Sequence, residues 1–186
     1  RTDFKHLREH AEGLVCLSAC LAGELPQAIL RGDMQAADEI VARYKALFGD
    51  DYYIEIQDHN IRDQKVVLPH LVALARKHGV KIVATNDVHY LNKHDATAQK
   101  VLQCISFRTT MSPTEMDENA PDLPPVSDGV DDTGYFPTKE FYLKSGDEMA
   151  ELFPNLGDAL TNTLEVAAKC EPYFFSKEPL MPAFVP

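Results

Sequence analysis

Val80-Lys81-Ile82-Val83-Ala84-Thr85-Asn86-Asp87-Val88-His89-Tyr90 is the stretch on which the fold of this chain turns. Its first half is a compact run rich in β-branched and small apolar residues set off by Gly79, the pattern of a β-strand. Its second half is polar and titratable. In parallel α/β folds, functional side chains collect where a strand ends and its loop begins, because helices cover the faces of the sheet and leave that edge open. Asp87 and His89 stand at that point. At i and i+2 on an extended segment their side chains project to one side. A hard carboxylate oxygen and a neutral imidazole on one side can share a divalent ion or bind adjacent ones. The bland alternative is that Asp87 caps the following turn and His89 is an ordinary histidine. A lone D-x-H leaves both readings open.

The same strand-then-helix rhythm appears on the N-terminal side. Leu14 to Ser18 reads as a first strand and Tyr52 to Ile56 as a second, the latter rich in the aromatic and β-branched residues that strands favour. Before the first strand lies a short polar helix, Phe4 to Ala11, that stops at Gly13. Between the strands, Glu24-Leu25-Pro26 opens a short helix. Asp33 then caps a longer one carrying Ala36, Ala37, Ile40, Val41, Tyr44 and Leu47 at helical spacing up to Gly49. Asp63 to His78 is helical with Gly79 as its stop, and Pro69 within it predicts a kink or a break. Three strand–helix alternations imply an α/β fold with a parallel sheet.

On the C-terminal side, Asp95 is placed as the cap of a helix through Val101, Leu102 and Ile105. Residues 108–137 hold five prolines and several acidic groups, and read as a solvated acidic loop. Regular structure resumes at Glu140-Phe141-Tyr142-Leu143-Lys144. Ser145 and Glu148 form a capping box, and Asn155 is expected to cap a last helix with Leu160, Leu164, Ala167 and Ala168 inward. The proline-rich tail from 173 to 186 reads as a linker, leaving 1–172 as the folded unit.

Composition narrows the function classes. Twenty-nine acidic against 18 basic residues, a net charge of −11, argue against a surface built mainly to grip nucleic acid. No apolar run approaches the roughly 18–20 residues that span a bilayer. Four cysteines spread over 186 residues are too sparse for a disulfide framework, and no signal peptide is apparent, so the cytoplasm is the expected compartment. The opening at Arg1 suggests a piece of a longer polypeptide. Cys16 lies within a strand and behaves as a small hydrophobe. Cys20 lies beyond it among small residues, where a thiolate could reach a metal, although the C-x₃-C spacing has no partner pair for a structural zinc site. His59, in Gln57-Asp58-His59, is either a ligand, a base or part of a polar turn. No G-x-S-x-G, P-loop or H-E-x-x-H is present.

Four segments in order carry a resemblance: Gly13 to Glu24, Tyr53 to His59, Ala84 to Tyr90 and Glu140 to Ser145. Together they resemble the polymerase and histidinol phosphatase (PHP) domains of bacterial DNA polymerase III alpha subunits, and Leu180 to Phe184 resembles the connector into the polymerase palm. The resemblance implies the C-terminal two-thirds of a distorted (βα)₇ barrel with a metal cluster, often zinc or manganese, at the carboxyl ends of its strands. It implies Asp87 and His89 as the last D-x-H ligand pair and Cys20 as the cysteine ligand, with the family's other ligands upstream of Arg1. No catalytic residue is assigned within the chain. The activity implied is phosphoester hydrolysis, in some members 3′–5′ proofreading, while others keep the domain as a structural platform. For the whole polypeptide the resemblance implies magnesium-dependent DNA synthesis, with DNA, deoxynucleotides, a sliding clamp and a proofreading subunit as partners, and little catalysis or tight DNA binding by this piece alone. The rivals are a stand-alone phosphatase of the histidinol-phosphate type and a non-catalytic scaffold.

Overall fold

The computed structural model describes residues 2–111 and 136–172. The acidic loop expected over 108–137 lies mostly outside the described residues, and the 173–186 tail lies wholly outside them. Among the described residues three strands, β1 (Cys16–Leu17), β2 (Tyr52–Ile56) and β3 (Lys81–Ala84), pair in parallel in the order β1-β2-β3. The register sets Cys16 beside Tyr52, and Ile54 and Ile56 beside Ile82 and Ala84. Among the described residues seven α-helices accompany them: α1 (Phe4–Glu9), α2 (Glu24–Leu30), α3 (Met34–Phe48), α4 (Arg62–His78), α5 (Ala96–Phe107), α6 (Gly146–Leu152) and α7 (Gly157–Lys169). The α/β class and the parallel sheet agree with part of a PHP barrel. No described helix is long and apolar enough to cross a membrane.

Strand periodicity divides the core. Tyr52, Ile54 and Ile56 point to one face, where Leu25 and Ala28 of α2, Val41 of α3 and Leu71 and Leu74 of α4 pack on them. Ile54 has no exposed surface, and burying a side chain of its size contributes about 1.5–3 kcal/mol. Tyr53 points to the other face and is equally buried. Its hydroxyl donates to Glu165 of α7 at 2.6 Å, so a polar group there is satisfied by a helix.

Local signals act where the sequence placed them. Asp33 accepts the Ala36 amide at 2.9 Å, and Gly79 closes α4 in the left-handed region. Ser145 and Glu148 form the reciprocal capping box. Truncating Ser145 to Ala should cost about 1 kcal/mol, read as a lower urea midpoint at unchanged slope.

Several expectations need correction. Helix α4 runs unbroken through Pro69. Pro69 and Lys65, whose carbonyl loses its helical donor, both lie on the exposed side, where water can replace the missing bond. Asp95 is the N-cap residue of α5 as expected, but its side chain closes a capping box with Asn92 around the short 3₁₀ turn before it instead of capping α5. The N-cap of α7 is Leu156, not Asn155, and Leu164 is 71% exposed, with Ala167 and Ala168 also outward. Helix α7 instead turns a polar face to the sheet: Asn162 donates to the Ile82 carbonyl at 2.8 Å and Glu165 receives both Tyr53 and Lys81. A helix lying against a strand edge meets main-chain acceptors, and amide and carboxylate groups satisfy them better than leucine. The segment around Tyr142 contributes a single parallel bridge, to Tyr90, in place of a full strand.

Candidate metal centre at the strand ends

Because the strands are parallel and adjacent, their carboxyl ends share one edge, and short polar bonds lace the three following loops together. The Glu55 amide donates to Ser18 Oγ at 2.9 Å. Thr85 donates its hydroxyl to the Glu55 carboxylate. Gln57 Nε2 donates to both Glu55 Oε1, at 3.0 Å, and Thr85 Oγ1, at 3.1 Å. The Thr85 amide continues the ladder to the Ile56 carbonyl.

Beyond β3 the structure brings Asp87 and His89 together, with Nε2 and Oδ1 3.3 Å apart and each side chain roughly one-third exposed (35% and 38%). They do not meet as alternate residues of a straight strand. Asp87 adopts φ +41°, a left-handed conformation uncommon for residues with a Cβ and best tolerated by Asn and Asp. The pair is therefore made by a turn. His89 is held by its amide, which donates to the Phe141 carbonyl at 2.8 Å, and by its ring, which tilts against Phe136 with centroids 4.2 Å apart.

Cys20 stands in the loop after β1 and lines a small cleft with Leu21, Pro26, Glu55, Gln57 and Gln64. The turn that carries it depends on Gly23. A Cβ there would lie 2.7 Å from the Ser18 carbonyl oxygen and 3.1 Å from that of Cys20, both main-chain atoms. Gly23→Ala should force the loop to move at a cost on the order of 1 kcal/mol, and should raise the rate at which a thiol reagent labels Cys20. Cys16 is the opposite kind of cysteine, since burial pushes its thiol up to about 11 and keeps it protonated.

His59 takes neither the ligand nor the base role. It is fully buried, its Nε2 lies 2.9 Å from the Asn86 carbonyl, and its Nδ1 lies 2.7 Å from the Gln64 amide nitrogen. Both ring nitrogens are already engaged. Burial lowers its pKa, with Lys144 acting in the same direction and the Asn86 carbonyl, Asp87 and Asp58 opposing. The polar-turn reading is right for its neighbour, since Asp58 accepts the Asn60 amide at 2.8 Å.

The donor set fits part of a divalent-metal centre. Asp87 offers a hard oxygen and His89 an imidazole at facing positions, which suits zinc or manganese. Cys20 shares the edge but is not gathered with them: among the described residues no group of three or more His, Cys, Asp or Glu side chains is close enough to hold an ion. The sequence also left unmarked the groups that frame the pair. Asn86 is buried, and its Nδ2 donates to the carbonyls of Glu140 at 3.0 Å and Tyr142 at 2.6 Å. Gln64, a buried amide in the first turn of α4, was visible as a polar residue on an apolar helix face, the one signal that could have flagged it.

Comparison with known proteins bears on the architecture. Residues 1–59, about a third of the chain, match the family model of the PHP domain. Along nearly its whole length the chain is also similar to proteins named DNA polymerase III subunit alpha. That of Treponema pallidum is 41% identical over 186 residues, covering 99% of this chain and 14% of its own length. That of Borreliella burgdorferi is 39% identical over 173 residues, 93% of this chain and 14% of its own length. That of Thermus aquaticus is 39% identical over 174 residues, 92% and 13% respectively. The chain thus spans about 14% of the length of these curated relatives. Asp87 and His89 lie beyond the family-model match but within the span aligned to the Treponema protein.

Proposed function

We propose that this chain is the PHP portion of a replicative DNA polymerase alpha subunit, and that Asp87, His89 and Cys20 supply part of a zinc or manganese centre for phosphoester hydrolysis. The observation that carries the reading is the Asp87–His89 pair, set facing at the carboxyl edge of a parallel sheet. The names of the relatives favour a polymerase subunit over a stand-alone phosphatase. Two facing donors do not complete a site, so the reading requires further ligands beyond Asp87, His89 and Cys20. A bound ion would lower the pKa of its water and polarise a phosphoryl oxygen. The chain's own residues then do the positioning. Asp87 and His89 hold one side of the centre, Phe136 and Phe141 wall off His89, and the Ser18–Glu55–Thr85 lattice keeps the three loops in register.

For the complete polypeptide the same reading implies cytoplasmic DNA synthesis from deoxynucleotides, with magnesium at a separate polymerase site and with DNA, a sliding clamp and a proofreading subunit as partners. The strongly acidic balance of this portion assigns the grip on DNA to other regions. A scaffold role is the second reading, favoured by the absence of a third close donor among the described residues. The full-length protein decides between them. Metal-dependent removal of a mismatched 3′ end, lost in His89→Ala while primer extension persists, supports the hydrolytic centre. Nuclease activity that is absent from the wild type, with no metal retained after dialysis, supports the scaffold.

A further inference from the structure

Residues 85–89 carry the Asp87–His89 pair without belonging to a strand or helix, so their position depends on what surrounds them. One buried residue, through its main chain and its ring together, joins three of the surrounding segments. The His59 amide donates to Gln64 Oε1 at 2.7 Å, tying it to α4. Its carbonyl accepts the Thr138 hydroxyl at 2.8 Å, and its ring stacks on Phe141 with centroids 3.9 Å apart and planes 16° from parallel, tying it to the segment that crosses over the site. Its Nε2 reaches the Asn86 carbonyl, immediately before Asp87.

These bonds also fix where the proton sits. The Gln64 amide is oriented by the His59 main-chain N–H, which can only donate and therefore faces Oε1. That leaves the Gln64 nitrogen to donate to His59 Nδ1, which must be bare. The Asn86 carbonyl can only accept, so Nε2 carries the hydrogen. The ring is thereby locked in one neutral tautomer with its N–H aimed at the loop. The Asn86 side chain meanwhile donates to the carbonyls of Glu140 and Tyr142, so this one residue is held from two sides.

We propose that His59, oriented by Gln64, is a positioning residue: its Nε2–H anchors Asn86 and thereby sets the separation and direction of Asp87 and His89. The proposal rests on the reading of that pair as metal donors and extends it to a residue that touches no ion. Supporting groups of this kind typically change metal affinity by about 10–100-fold.

Three variants of the full-length protein test it. His59→Leu fills the space with neither donor nor acceptor. His59→Gln places an amide nitrogen near the position of Nε2. His59→Asn places one near Nδ1, out of reach of Asn86. Two quantities are read: amide hydrogen exchange of residues 86–90 in metal-free protein, and Mn²⁺ affinity. His59→Leu and His59→Asn should speed exchange there about tenfold and weaken Mn²⁺ binding about 10–100-fold. His59→Gln should return both to within about threefold of wild type even where its melting temperature falls as far as that of His59→Asn. If His59→Leu does not fold, the contrast between Gln and Asn still decides. Wild-type exchange in His59→Asn, or equal losses in Gln and Asn, overturns the proposal. A wild type that binds no Mn²⁺ overturns the metal reading instead, and the exchange data on metal-free protein still judge the anchor.

Discussion

Asp87→Ala and His89→Ala should each lower the affinity of the full-length protein for Zn²⁺ or Mn²⁺ by about 100-fold or more, equivalent to about 2.7 kcal/mol. The expectation follows from donor counting. Asp87 and His89 are the facing pair in the described structure, so removing either leaves a single donor at that position. Two effects must be separated at Asp87. Its φ of +41° is borne better by Asp or Asn than by Ala, so the alanine variant loses a carboxylate and also gains backbone strain of about 1–2 kcal/mol. Asp87→Asn keeps the side-chain shape and the tolerance for that conformation while removing the charge. Metal loss in Asp87→Asn with a near-native melting temperature assigns the effect to the carboxylate. Metal content equal to wild type in both His89→Ala and Asp87→Asn removes the ligand assignment and leaves the scaffold reading. Primer extension should fall only as far as the fold is weakened.

How this site could be read from the residues differs from one side chain to the next. Strand β3 and the D-x-H after it were visible because both signals are local: a β-branched run, then titratable residues where a parallel strand must end. Asp33 and Ser145 were visible for the same reason, since a cap is an interaction within four residues. The turn at Asp87 was not, because its left-handed backbone depends on Asn86 being held by His59 and by the Glu140–Tyr142 segment, which lie 27 to 56 residues away in the chain. Helix α7 shows the limit of periodicity. Leu164 has the spacing of a core residue, yet Asn162 and Glu165 face the sheet because a strand edge and the Tyr53 hydroxyl demand polar partners. Helix α5 shows another. Leu102 and Ile105 are apolar at helical spacing but 61% and 69% exposed, so the spacing reports a helix and not its burial.

Acidification should destabilise the chain earlier than its carboxylates alone require, and His59 is the reason. Burial lowers its folded-state pKa below the ordinary value near 6.5, and the bond that Nδ1 accepts from Gln64 needs the neutral ring, although the Asn86 carbonyl opposes the shift. In the unfolded chain His59 titrates normally and binds a proton that the folded form refuses. Below about pH 6.5 the unfolded state therefore holds more protons, and stability falls as the pH falls, with a slope that can reach about 1.4 kcal/mol per unit. Above that pH neither state is protonated and the contribution is flat. The lowered carboxylates, Asp38 held down by Lys77 and His78 and Glu140 held down by Lys93 and Lys144 against its own burial, lose their contribution only at more acidic pH. The two windows are separate, so the slope between about pH 6.5 and 5 isolates histidine titration. Urea unfolding across that range should show wild-type stability dropping while His59→Gln, which has no group to protonate there, drops less by the same slope. Parallel curves for the two proteins would mean that His59 accepts its proton inside the fold, which the Gln64 donor at its Nδ1 forbids without rearrangement.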